Sequence, residues 1–116
     1  MTQGNYKDKK AAVYSLLTRI PKGKVVTYGQ IAEALELPTP RLVGRILHQN
    51  NEPEKYPCHR VVFADGKLSP AYAFGGDGVQ RRKLEYEGVI FKKLKVNLEE
   101  SRHTFSLGEI ERNPLF

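Results

Sequence analysis

Thr27-Tyr28-Gly29-Gln30-Ile31-Ala32-Glu33-Ala34-Leu35-Glu36-Leu37-Pro38-Thr39-Pro40-Arg41-Leu42-Val43-Gly44-Arg45-Ile46-Leu47-His48 carries two helix starts and one stop within 22 residues. Thr27 and Gln30, three apart, have the form of a capping box, in which each side chain satisfies an end-of-helix amide of the other. The helix they open runs through Ile31, Ala32 and Leu35 and ends before Pro38. Thr39 then caps a second helix, with Pro40 suited to the first position because its missing N–H is not needed there. Val43, Ile46 and Leu47 form the second helix's core face, and a tight Leu37-Pro38-Thr39 turn joins the pair. This spacing predicts a helix-turn-helix.

The outer face of the second helix gathers Arg41, Gly44, Arg45 and His48 at i, i+3, i+4 and i+7. Gly44 costs about 1 kcal/mol relative to alanine inside a helix. A glycine among cations lets a backbone approach something anionic, which is the behaviour of a recognition helix. The alternative is a tolerated surface glycine.

Working outward, Tyr6 to Ile20 is predicted as a helix, with Val13, Leu16, Leu17 and Ile20 on one apolar stripe and Pro21 and Gly23 as its stop. Lys24-Val25-Val26 reads as a brief extended piece. Downstream, Asn50 to Lys55 is loop by composition, and Tyr56-Pro57-Cys58-His59-Arg60 runs into Val61-Val62-Phe63, a buried strand turning at Asp65-Gly66. Lys67-Leu68 is expected to return as its hairpin partner. Ser69 to Gly78 is a glycine-rich loop whose Tyr72 and Phe74 either wall a pocket or anchor a small core. Val79 to Glu87 is predicted as a basic helix closed by Gly88, and Val89 to Val96 as extended and basic. Beyond Asn97 the pattern yields no assignment, so residues 97–116 stand as a tail. The chain reads as one domain over 1–116, without repeats.

The 116 residues carry 19 lysines and arginines against 13 carboxylates, a net charge of +6. Such an excess suits a polyanion partner such as nucleic acid, or else a solvated basic surface. The polar stretch Met1 to Lys10 and the lack of a long apolar run predict no export signal, no membrane span and a cytoplasmic, nucleoid-associated or nuclear location. Cys58 is the single cysteine, which excludes an internal disulfide, and His48, His59 and His103 show no ligand spacing, so no metal or other cofactor is expected. Cys58 itself reads as a nucleophile or as inert packing. In a regular strand Cys58 and His59 would face opposite sides, so a proton passing between them would need a water relay.

Pro57-Cys58-His59-Arg60-Val61, Thr27-Tyr28-Gly29-Gln30-Ile31-Ala32, Arg41-Leu42-Val43-Gly44, Asn50, Gly75-Gly76 and Leu84-Glu85-Tyr86-Glu87-Gly88-Val89 all occur in this chain. From about Tyr6 to Val96 the sequence resembles the C-terminal, DNA-binding and active-site domain of the O6-alkylguanine-DNA alkyltransferases. That resemblance implies an α+β, mainly helical, winged helix-turn-helix domain with a short β-hairpin. It implies a monomer that binds the minor groove of double-stranded DNA, rotates O6-alkylguanine out of the stack, and moves the alkyl group irreversibly onto Cys58. By the same resemblance His59 and Glu87 take the thiol proton through water, and Asn50 couples the recognition helix to the site. Tyr28 turns the nucleotide out and donates to the base, Arg41 fills the gap, and Gly44, Arg45 and Arg60 contact DNA. Tyr28, Phe74 and Gly75 border the base pocket. In compactness the chain also resembles the alkyltransferase-like proteins, which bind such lesions without repairing them, flag them for excision-repair proteins, and typically have tryptophan where this chain has Cys58. A third reading, a helix-turn-helix regulator with an incidental cysteine, would want a dimerisation element that the sequence does not show.

Overall fold

A computed structural model describes residues 5–70 and 72–114. The first four residues of the polar N-terminal stretch, Ala71 of the glycine-rich loop and the last two residues of the tail lie outside the described residues. In chain order the elements are α1 (Tyr6–Leu17), β1 (Val26–Thr27), α2 (Tyr28–Ala34), α3 (Pro40–His48), a 3-10 turn (Cys58–Arg60), β2 (Val61–Val62), α4 (Gly76–Tyr86), β3 (Phe91–Lys92), β4 (Lys95–Val96), α5 (Leu98–Ser101) and α6 (Leu107–Glu111). The architecture is α+β and mainly helical, with α2 and α3 as a helix-turn-helix and β3–β4 as the accompanying wing.

Local chemistry starts the central helices. Thr27 Oγ1 accepts from the Gln30 amide at 3.1 Å while Gln30 Oε1 accepts from the Thr27 amide at 2.9 Å, and Thr39 caps α3 with Pro40 at its first turn. Each such cap is worth about 1 kcal/mol. Between the two helices Glu36 takes a left-handed φ of 55°, and the Leu37 amide reaches back to the Ala32 carbonyl at 2.8 Å. One core joins α1, α2 and α3 through Val13, Leu16, Leu17, Ile31, Leu35, Val43 and Ile46, and Cys58 is buried at its edge. A second, smaller core of Val25, Val62, Leu84, Val89 and Val96 packs α4 and the wing together.

The structure corrects the sequence reading in four places. The partner of β2 is β1, in parallel, with Val26 opposite Val61, and not Lys67-Leu68. The hairpin is formed by β3 and β4, and Lys67 bridges Lys95 at its flank. Helix α4 starts at Gly76, three residues before Val79, because Gly75 takes a φ of 123° and turns the chain into it. The tail is integral: the Val25 amide bonds the Ser101 carbonyl at 2.8 Å, Gln30 Nε2 bonds the His103 carbonyl at 2.8 Å, and Asn113 Nδ2 bonds the Ala12 carbonyl at 2.9 Å.

Candidate active site and nucleic-acid interface

Pro57 holds φ −75° and ψ 72°, and the Cys58 amide bonds the Tyr56 carbonyl at 2.7 Å, an inverse γ-turn. The chain then makes one 3-10 turn before it becomes β2, so residues 58–60 are not extended as the sequence suggested. Cys58 and His59 nonetheless face different sides. Cys58 borders a cleft of about 650 Å³ that Tyr28, Arg41, Gly44 and Arg45 also line, whereas Pro57 and His59 border a separate cleft behind it. The exposed face of α3 and the buried thiol thus open onto one space.

Asn50 is 5% exposed and links helix to turn. Its Nδ2 donates to the Tyr56 carbonyl at 2.8 Å, and its Oδ1 accepts from the Glu52 amide at 2.9 Å. Burial pushes the Cys58 thiol above its ordinary pKa, while the Asn50 side chain, the Lys83 charge and a backbone amide work the other way. A thiol raised in this way stays protonated at neutral pH and needs a base.

The base stands beside it in sequence. His59 Nε2 lies 3.0 Å from Glu87 Oε2, and Nδ1 is buried without a hydrogen-bond partner among the described residues. Burial lowers the His59 pKa, against the upward pull of Glu87, so the imidazole is neutral. Burial works to raise Glu87, but hydrogen bonds from Arg60 and His59 and the charges of both prevail and hold its pKa below the ordinary value. An ionised Glu87 accepts from Nε2–H, which leaves the Nδ1 lone pair free to take a proton.

Arg60, expected at DNA, is turned inward. Its Nε and Nη2 grip Glu87 at 2.9 and 2.7 Å and its Nη1 reaches the Ile20 carbonyl at 2.8 Å. The physical reason is pairing: a guanidinium beside a buried carboxylate gains two parallel charge-assisted bonds that open solvent would not match. Of the expected base-pocket residues, Tyr28 lines the cleft, its ring 5.5 Å from Phe63 and its phenol kept protonated by burial. Phe74 and Gly75 do not line it; Tyr72 and Ala73 do, and Phe74 packs edge-on against Tyr72 at 5.8 Å.

Two contributors escaped the sequence reading. Gln80 is 1% exposed, and its Nε2 donates to the carbonyls of both His59 and Val61 at 3.0 Å, fastening α4 to the Cys-His turn. Its signal was a glutamine one turn before Leu84 on the inward side of the helix. Lys83 Nζ donates to the Tyr72 hydroxyl at 2.9 Å; nothing local marked it among its basic neighbours. Among the described residues no group of three histidine, cysteine or carboxylate side chains is placed to hold a metal, and no helix is long and apolar enough to cross a membrane.

Residues 8–89 match the family model described as 6-O-methylguanine DNA methyltransferase, DNA binding domain. The chain belongs to that family. A methylated-DNA–protein-cysteine methyltransferase of Thermococcus kodakarensis is 41% identical over 66% of this chain and 42% of its own length. A bifunctional methyltransferase/endonuclease of Picrophilus torridus is 38% identical over 82% of this chain, which spans 32% of that relative. Alkyltransferase-like protein 1 of Schizosaccharomyces pombe is 36% identical over 76% of this chain and 87% of its own length. The crystal structure of S. pombe Atl1 in complex with damaged DNA containing O6-carboxymethylguanine shares the fold, with a TM-score of 0.75 at 30% identity, over 88% of this chain and 100% of that one. The chain spans less than half the length of the first two relatives.

Proposed function

We propose that this chain repairs DNA by direct reversal, transferring the alkyl group of O6-alkylguanine onto Cys58 in a single turnover. The observation that supports this most strongly is the separation of labour around one turn. Cys58 opens to the cleft beneath α3, while His59, fixed by Glu87 at 3.0 Å, keeps an unpaired Nδ1 inside. Duplex DNA docks through the minor groove on Arg41, Gly44 and Arg45, and Arg41 fills the place of the extruded base. Extrusion costs a few kcal/mol, offset by stacking in the pocket and by the inserted side chain. The thiol proton passes through a water to Nδ1 of His59. The thiolate attacks the alkyl carbon; the sulfur–carbon bond forms as the carbon–O6 bond breaks, and the electron pair returns to a guanine that takes up a proton. Tyr28, held as a phenol, donates to the base during this step.

The similarity to an alkyltransferase-like protein over nearly its whole length favours a second reading, in which the domain binds the lesion and excision-repair proteins act on it. A binder needs neither the thiol nor the Glu87–His59 pair. Cys58→Ser separates the readings: on an O6-methylguanine duplex it should bind with near-native affinity and restore no guanine, while the native chain binds and restores guanine. Equal absence of guanine restoration by the two proteins favours the binder.

A further inference from the structure

The cleft behind His59 is not part of the space that faces α3, and among the described residues the two share no lining residue. It encloses about 770 Å³, within the range of roughly 300–1,000 Å³ typical of small-molecule sites. Arg60 and Glu87 at its floor neutralise each other through their paired bonds. What remains on the walls is Lys22, Lys55, Arg82 and Lys83 against the single carboxylate of Glu54. Among the described residues none of these four cations is in a salt bridge, but the Lys83 ammonium is taken up by the Tyr72 hydroxyl at 2.9 Å at the first cleft, which leaves Lys22, Lys55 and Arg82. Concave walls of one sign focus the field and concentrate counter-ions. The fourth feature is Tyr86, 87% exposed, one helical turn beyond Arg82 on the same face of α4. A bare ring beside cations outside any ion pair is a platform for a flat base whose phosphates reach the charges.

We propose that this second cleft binds a nucleotide, its phosphates held by Lys22, Lys55 and Arg82 and its base stacked on Tyr86. The source of that chemistry is either a free nucleoside triphosphate or a single-stranded nucleic-acid segment. A duplex seated on α3 does not supply it, since the Cys58–Arg60 turn stands between the two spaces. The inference does not rest on alkyl transfer, because its phosphate and base contacts lie away from the thiol, although His59 and Glu87 also border this cleft.

The test is titration of the full chain, labelled for amide NMR, with adenosine triphosphate, inorganic tripolyphosphate and a short oligothymidylate. Expected are saturable shifts at Lys22, Lys55, Arg82 and Tyr86 and none along residues 41–48. Arg82→Glu should lower affinity about tenfold, since it removes an attraction and adds a repulsion beside a phosphate. Lys22→Glu should act likewise, and Arg45→Glu should not. Tyr86→Ala should weaken adenosine triphosphate and leave tripolyphosphate unchanged. A preference for adenosine triphosphate over the oligonucleotide assigns a free nucleotide, and the reverse assigns a nucleic-acid strand. Shifts confined to α3, no saturable binding of any probe, or unchanged affinity in both Arg82→Glu and Lys22→Glu would overturn the proposal. So would a Tyr86→Ala variant that binds adenosine triphosphate as the native chain does.

Discussion

Glu87→Gln removes one charge and almost no volume, so it isolates what the carboxylate does for its two partners. The substituted amide would still present an oxygen to the Arg60 Nε that now lies 2.9 Å away, but it would leave a guanidinium whose side chain is only 15% exposed without a counter-charge. Breaking a fully buried pair costs about 3–5 kcal/mol; with the neutral hydrogen bond and the Ile20 carbonyl retained, about 1–2 kcal/mol of stability is expected to go. The sign with pH follows from the lowered folded pKa of Glu87. Its contribution is present above the ordinary glutamate value and is lost as pH falls through the folded one, so native and Glu87→Gln proteins should converge in stability in acid. The effect on chemistry is larger. Without Glu87 the upward pull on His59 is gone while burial remains, so the base weakens and its tautomer is no longer held. General-base assistance is worth about 10²–10⁴ in rate; a weakened, disoriented base that still exists should slow alkylation of Cys58 roughly 10–100-fold at neutral pH, with the rate rising again at higher pH as the thiol ionises unaided. The assay is single-turnover transfer from an O6-methylguanine duplex across pH, beside duplex affinity by anisotropy. Native rates across pH, with native affinity, would refute the relay.

Other expectations are simpler. Arg41→Ala should weaken binding to the lesion duplex well beyond Arg45→Ala, whose loss should resemble one phosphate contact and change the salt slope by about one; equal, lesion-independent losses leave only a basic surface. Gly44→Ala meets nothing closer than Tyr28 at 3.9 Å, so it should stabilise the fold by up to about 1 kcal/mol and yet weaken duplex binding; unchanged affinity argues against close approach at this turn of α3. Gly66→Ala combines a φ of 92° with a Cβ 2.6 Å from the Val96 carbonyl, and should destabilise the protein by about 2–4 kcal/mol in urea melts while folded molecules bind DNA normally.

The helix-turn-helix was legible because its determinants are local. Thr27 and Gln30, or Thr39 and Pro40, meet their partners within one helical turn, and the apolar stripe of α3 needs no knowledge of what covers it. Where the sequence misled, the interaction spans the chain. Val26 pairs with Val61 across both helices, and before folding Lys67-Leu68 is the nearer partner on offer. Arg60 could face solvent or Glu87 equally well on local grounds; a carboxylate arriving from α4 decides it. Glycines 75 and 76 read as loop, yet Gly75 caps a helix that Gly76 begins, since a positive φ serves a turn and a cap alike. The tail has little hydrophobic periodicity because, besides the packing of Leu98 and Phe105, much of its hold on the body is through backbone and amide bonds at Ser101, His103 and Asn113 that no pattern announces.

The central claim is that Cys58 receives the alkyl group. Intact-protein mass spectrometry of fresh, reduced chain after incubation with a duplex containing O6-methylguanine tests it most directly, with peptide mapping of the product. The account predicts the mass gain of one methyl group per chain, confined to Cys58, and one unmodified guanine restored for each protein molecule alkylated. Tight lesion binding with no mass gain on Cys58 across neutral to alkaline pH would contradict it.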